Sequence, residues 1–388
     1  MIVVLLLWTG IGFVWWLIAV WLVQRGPGAH AHDESPADPA RPLISIFKPV
    51  ASPLGRREYE ALELSLASVI ADADSDCEVL IGANPAEAER LAAFTERMRA
   101  ACPEVRIELV VEPVEASLAH PKVRWNEKLA RHARGSWWFW SDADMTQPAG
   151  TMAALRTAFL SGTGMVTLPY VVKKVEGRAE VLDALYVNVE FYPGVLLLGL
   201  VDRLANGFGA GMLFAADEFR DKVDWAYLGS QLADDFVLGS LLPPVRLAST
   251  VLETAPTGGG WRDALLHYLR WQKTVRWCQP GGFAAQLIIL PVIGWLIALV
   301  LQPSWTTVGG LMTVLLMDLV TVVLIFNRLA CRLSLMHLPA IIGWSVLRGL
   351  VWIACWFPWP VIWRDRRCWS PTLYDAAGDL RVDKVVGG

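Results

Sequence analysis

The sequence predicts an α/β protein: a water-facing domain on a mostly parallel sheet, with apolar membrane segments at both ends of the chain. Three observations carry this. Strand-like and helix-like stretches alternate from residue 43 to residue 170, the pattern of repeated βαβ units. Apolar runs of spanning length occur near both ends, at 2–23, 283–301 and 305–326. Finally, 54% of the 388 residues are hydrophobic and mean hydropathy is +0.40, too apolar for a purely soluble chain.

Each element follows from local pattern. Ile2 to Val23 carries no charge, and Arg25 comes directly after it. The run is too long for a signal peptide and lacks a basic leader, so residues 1–25 read as an anchor whose end at Arg25 lies inside. Residues 26–41 are rich in Pro, Ala, Gly and Asp and read as a linker. The water-facing domain spans 42–280. Its first strand is 43–49, stopped by Pro49. A helix follows over 58–70, with Leu62, Leu66, Val69 and Ile70 on one face. Strands at 78–82, 105–111, 137–140 and 165–170 alternate with helices at 86–100, 122–133 and 149–160. Residues 178–201 are apolar and helical, but Glu180, Asp183 and Glu190 argue against a span.

The C-terminal part, 281–367, reads as membrane helices and 368–388 as a tail. Segments 283–301 and 305–326 form a hairpin that starts and ends in the cytosol, because Arg328 and Arg332 follow it. Arg348 interrupts 338–363, and Arg364, Arg366 and Arg367 follow. That stretch is predicted to be a re-entrant or interfacial helix pair. Asp318 is the only acid inside a predicted span. Such a carboxylate is a functional candidate, with a helix-paired bystander as the bland alternative. The twenty tryptophans cluster near the ends of apolar segments, as interfacial belts do.

Composition excludes some functions. A net charge of −4 gives no footprint for general nucleic-acid binding. Six scattered cysteines without a C-x-x-C pair indicate neither a zinc site nor a disulfide framework, and fit a reducing, cytosol-facing compartment.

Chemistry concentrates at Trp137-Trp138-Phe139-Trp140-Ser141-Asp142-Ala143-Asp144. A bulky buried strand ends there in two carboxylates, at the edge where open α/β sheets bind ligands. Oxygen ligands of this kind suit Mg²⁺ or Mn²⁺ carrying substrate phosphates. An Asp-rich turn is the ordinary reading of an isolated D-x-D. Asp234-Asp235 precede an apolar, helix-like run; they are either a helix N-terminus that welcomes negative charge or a general base at a cleft. Arg270, Lys273 and Arg276 share one helical face, as a juxtamembrane basic helix or as a clamp on a diphosphate. The run Gly207-Phe208-Gly209-Ala210-Gly211 does not open a helix after a first strand, so it is no dinucleotide fingerprint.

Several pieces, in order, resemble one family. They are Ser45-Ile46-Phe47-Lys48-Pro49-Val50, Pro121-Lys122-Val123, Asp142-Ala143-Asp144, Leu168-Pro169-Tyr170, Gly209-Ala210-Gly211-Met212, Asp234-Asp235-Phe236 and Leu269-Arg270-Trp271. Over about 43–280 the chain resembles the membrane-bound family 2/21 glycosyltransferases, notably ceramide glucosyltransferase and bacterial hopanoid-associated enzymes. The resemblance implies a GT-A fold and inverting transfer from a nucleotide sugar, a UDP-sugar first, to the hydroxyl of a ceramide-like or hopanoid lipid. It implies a catalytic domain on the cytosolic face, with a bacterial inner membrane as its setting. It would put Lys48 and Pro49 beside the nucleotide, Asp142 and Asp144 on a divalent metal, and Asp235, flanked by Asp234, as catalytic base. Arg270 and Trp271 would belong to the (Q/R)-x-x-R-W motif, with Lys122 adding charge on the diphosphate.

Two departures stand out. No aspartate follows the second strand, where the family contacts the base; Asn84 or Glu87 would have to serve. His267 holds the first position of the R-W motif, and Lys273-x-x-Arg276-Trp277 offers a second register. Competing readings are a processive polysaccharide synthase and a non-catalytic membrane scaffold.

Overall fold

A computed structural model describes residues 1–27, 42–113, 120–159, 163–256, 258–363, 366–373 and 382–384. The predicted linker from residue 28 onward, Arg364 and most of the tail lie outside the described residues.

Among the described residues, ten strands lie between the terminal apolar helices: β1 Ile44–Pro49, β2 Cys77–Ala83, β3 Arg106–Val111, β4 Trp137–Trp140, β5 Met145–Thr146, β6 Met165–Thr167, β7 Tyr170–Val172, β8 Met212–Ala215, β9 Val245–Leu247 and β10 Leu252–Thr254. Seven form one sheet in the order β3-β2-β1-β4-β8-β6-β9. The pairs β1–β2, β2–β3, β1–β4 and β6–β9 are parallel, whereas β8 runs antiparallel to both β4 and β6. The mixed α/β architecture with a mainly parallel sheet is the one expected, and β8 and β9 are the strands of this sheet that the alternation did not announce. Every residue of β1 and β2 is buried, the signature of strands covered on both faces.

The register explains why the chemistry sits where it does. Phe47 pairs with Trp140, so β1 and β4 end side by side and release Val50 and Ser141 at one edge. Trp140 is fully buried, with Phe214, Phe219 and Trp225 rings 5.1, 5.2 and 5.6 Å away. Aromatic packing of this kind fixes the strand end rigidly.

The candidate membrane segments differ from expectation in two places. The predicted span 283–301 is broken. Helix Pro280–Ala285 and a 3₁₀ turn, Gln286–Ile289, meet helix Pro291–Leu301 at a bend of 60°. Pro291 offers no N–H, and Trp8 Nε1 donates instead to the carbonyls of Leu287 and Ile288, at 3.1 and 2.8 Å. The predicted helix pair over 338–363 is one helix, Leu338–Ala354, followed by a short strand, Val361–Trp363. Arg348 does not interrupt it, because its guanidinium turns inward against Asp318, 3.4 Å away.

Helices Ile2–Arg25 and Trp305–Arg328 are long and apolar enough to span, as expected. Arg328 Nη2 donates to Gln24 O at 3.1 Å, so the basic ends of these two helices are neighbours. The stretch Val181–Leu200 also passes on length and composition, but 72% of it is buried inside the protein. It is a packed internal helix more than a lipid-facing one.

Candidate active site

One cleft of about 1220 Å³ receives Pro49, Asn84, Lys122, Asp142, Asp144, Asp234, Asp235, His267, Arg270 and Trp271. Ten of the eleven residues singled out in the sequence therefore face one space, although they span more than two hundred positions. Lys48 is the exception. Its fully buried ammonium donates to Ser65 Oγ (3.0 Å), Ser141 Oγ (3.0 Å), Asp142 O (2.9 Å) and Met145 O (3.3 Å). Burial pushes it down to about 7, against the pull of Asp144 and Asp142. Lys48 thus pins the acidic loop from behind, and only its neighbour Pro49 borders the cleft.

Asp142 leaves the end of β4 and meets Lys122 Nζ at 2.6 Å from Oδ1. Lys122 stands in the first turn of helix Pro121–Ala130 and also donates to Gly209 O at 3.3 Å. Burial disfavours its charge, yet Asp142, Asp234 and Asp235 outweigh that and keep the ammonium above its ordinary range. Asp144, the exposed member of the pair, is pushed up by lost hydration first and then by Asp142.

Asp234 and Asp235 open helix Asp234–Leu241. Asp235 Oδ2 accepts the Gly209 N–H (2.9 Å) and Oδ1 accepts the Phe236 N–H (2.8 Å). Burial, then the adjacent Asp234, pushes Asp235 up to about 6. Burial also raises Asp234, which lies 3.6 Å from His120 Nε2 and 3.9 Å from Lys122 Nζ.

Gly209 is where the two acidic pairs meet. A Cβ there would sit 2.7 Å from Lys122 Nζ, 3.1 Å from Asp142 Oδ2 and 3.5 Å from Asp235 Oδ2. A side chain there would push the Lys122 ammonium out of its present place beside Asp142. Ser141 Oγ donates to Ala210 O at 2.8 Å, tying the glycine loop to the end of β4.

The basic helix Trp261–Cys278 separates its two registers. The Arg270 guanidinium lines the cleft with no hydrogen bond or ion pair to another described residue. Burial draws it below its usual range, but a guanidinium stays charged. Trp271 stacks on Tyr186 and His267, with centroids 4.7 and 3.8 Å apart. His267 Nδ1 lies 3.1 Å from Asp183 Oδ1, and burial lowers its pKa despite that bond. In the second register, Lys273 donates to Cys355 O (3.1 Å) and to Phe357 O, and Arg276 lies over the Trp356 ring. Those two cations serve the C-terminal segment.

Near the missing aspartate, Glu87 is buried and accepts the Leu54 N–H at 3.0 Å, whereas Asn84 faces the cleft. Sequence reasoning missed His120 and Trp363, whose rings stack 4.8 Å apart at the cleft wall. Neither carries a local signal, since their partners are remote in the chain. It also discounted Gly209, whose role is visible only through Asp142 and Asp235.

Among the described residues no group of three or more His, Cys, Asp or Glu side chains is placed to hold a metal ion. Asp142 and Asp144 offer a two-carboxylate oxygen set. Such a set suits Mg²⁺ or Mn²⁺ when substrate phosphates and water complete the shell.

The family model described as glycosyl transferase family 21 matches residues 4–376. No curated protein matches the chain. Among solved structures, a mannosyltransferase, PcManGT from Pyrobaculum calidifontis in complex with GDP-Man and Mn²⁺, is similar with a TM-score of 0.49 and 16% identity, covering 91% of this chain and 97% of that one.

Proposed function

The chain belongs to glycosyl transferase family 21, and on that premise we propose that it transfers a sugar, with inversion, from a nucleotide sugar to the hydroxyl of a membrane lipid. The donor is a UDP-sugar and the acceptor a ceramide-like or hopanoid lipid, approached from the cytosolic face of a bacterial inner membrane. The observation that carries this reading is the meeting of one acid from each pair, Asp142 and Asp235, with Lys122 around Gly209. The same cleft continues past Val187, Phe191, Val195 and Leu198, an apolar wall suited to a lipid.

In the step, the acceptor oxygen attacks the anomeric carbon and forms the new C–O bond. The bond to the diphosphate oxygen breaks, and that oxygen keeps the electron pair. The hydroxyl proton passes to Asp235, whose two backbone N–H contacts hold the carboxylate in place and leave a lone pair on each oxygen. General-base action of this kind supplies roughly 10²–10⁴-fold. Arg270, without a protein counter-ion among the described residues, is poised to take the diphosphate through paired N–H groups. Lys122 adds a second cation. A divalent ion held by Asp142 and Asp144 would act as a Lewis acid on the diphosphate.

The test is to incubate the purified protein in detergent with UDP- and GDP-sugars, a membrane lipid extract and Mg²⁺ or Mn²⁺, then analyse the lipids by mass spectrometry. One lipid class gaining a single sugar is the expected result. A ladder of sugars would instead favour a processive synthase. No product, and no metal-dependent nucleotide-sugar binding, would leave the scaffold reading.

A further inference from the structure

The internal helix between Val181 and Leu200 is not uniform. It is α-helical over Val181–Leu185 and Tyr192–Leu200 but widens to a π-turn over Tyr186–Phe191. Pro193 withholds the N–H that the Val189 carbonyl would normally receive. Single π-turns inside α-helices redirect side chains and recur at functional sites. Here the turn presents Glu190 on the same face as the apolar residues Val187, Phe191 and Gly194, and Glu190 lines the cleft.

An acid on an apolar, buried helix needs partners. Glu190 Oε2 accepts from Gln272 Nε2 at 2.9 Å and from the Tyr268 hydroxyl at 3.3 Å. Arg348 Nε stands 3.5 Å from Oε1, but the same guanidinium also serves Asp318 at 3.4 Å. Two carboxylates thus share one cation, and acceptor capacity is left over. Gln272 adds to it. It is 3% exposed, it lines the cleft, and its Oε1 has no hydrogen-bond partner among the described residues. A buried carbonyl oxygen of this kind is costly unless a donor arrives.

We propose that Glu190 and Gln272 form an acceptor-side subsite that takes a second hydrogen-bond donor on the lipid head, a hydroxyl or an amide N–H near the attacking hydroxyl. The inference rests on the lipid-acceptor reading above. The subsite selects lipids by head-group chemistry, since apolar walls alone discriminate weakly and a site built to bond a polar group rejects the analogue lacking it. It does not touch the reacting atoms; Glu190 and Gln272 are specificity-determining residues.

The test uses the full-length protein with its preferred nucleotide sugar and three acceptors of equal chain length: a 1-alkanol, the matching 1,2-diol and the matching 2-acylamino alcohol. The wild type is expected to favour at least one two-donor acceptor over the 1-alkanol by roughly tenfold in kcat/KM, mainly through KM. The diol and amide arms tell which donor is read. Gln272→Leu is expected to bring that ratio close to one. Glu190→Gln, which keeps the shape and removes the charge, is expected to lower the ratio even if the first variant folds poorly. An unchanged ratio in a folded variant overturns the subsite while leaving the lipid-acceptor reading intact. So does an equal loss on all three acceptors, which a packing role would give. A wild type that glycosylates no lipid acceptor at all removes the lipid reading, and this inference with it.

Discussion

The pairs Asp142/Asp144 and Asp234/Asp235 meet in one cleft but are held in opposite ways. The first follows the rigid end of β4 and is braced from behind by Lys48. Asp144 is exposed, and Asp142 keeps a side chain 35% exposed, with the Lys122 ammonium against it. The second pair opens a helix. Asp234 is only 8% exposed, and the Asp235 carboxylate is fixed by two backbone N–H groups. An open acid beside a displaceable cation suits an incoming ion or diphosphate. A carboxylate of fixed orientation, such as Asp235, suits proton transfer, because its geometry is set before substrate arrives. The difference between binding and chemistry is therefore written in what surrounds each pair.

The sharpest way to break the comparison is Asp235→Asn. It should lower kcat by about 10²–10⁴-fold while donor affinity, measured by titration with the nucleotide sugar, stays close to wild type. Next comes Gly209→Ala. Its methyl would press on Lys122 Nζ and Asp142 Oδ2, displacing the ammonium and the carboxylate beside it, and misplacement on that scale costs about 10²-fold in turnover. Arg270→Lys keeps the charge and loses the fork, so the donor KM should rise by roughly tenfold. Arg276→Ala, in the register that serves Trp356, should leave the donor KM where it was; equal effects of the two would erase the distinction between registers.

A pH profile gives the smallest but most specific effect. Burial and Asp234 hold Asp235 up at about 6. The base works only when deprotonated, so kcat/KM should be level above that value and fall as pH drops through it. Asp234→Asn removes a neighbouring negative charge, which should move the acid limb to lower pH. A limb that does not move would detach the two aspartates from each other.

Much of this was readable in the sequence, and for stated reasons. The alternation that gives β1 to β4 is a local pattern of apolar runs and turn residues. Asp142 and Asp235 are legible because charge next to an apolar run is conspicuous in one dimension, and Arg270 through its helical spacing with Lys273 and Arg276 and its resemblance to the R-W motif. What escaped depends on neighbours distant in the chain. Gly209 matters only because Lys122, Asp142 and Asp235 crowd it. Lys48 looked like a cleft cation, but Ser65 and Ser141 turn it inward. The break before Pro291 carried a signal, the proline itself, which the apolar length of 283–301 concealed. Glu190 was visible as an acid that argued against a span, while its place in a π-turn beside Gln272 was not.

The account turns on the division of labour between the two acidic pairs, and one paired titration tests it directly. Nucleotide-sugar binding with and without Mn²⁺, followed by single-turnover transfer, is measured in Asp142→Asn and Asp235→Asn. The account predicts that Asp142→Asn loses the metal-dependent part of binding, whereas Asp235→Asn binds like wild type and fails to transfer. Wild-type transfer by Asp235→Asn, or undiminished metal-dependent binding by Asp142→Asn, would contradict it.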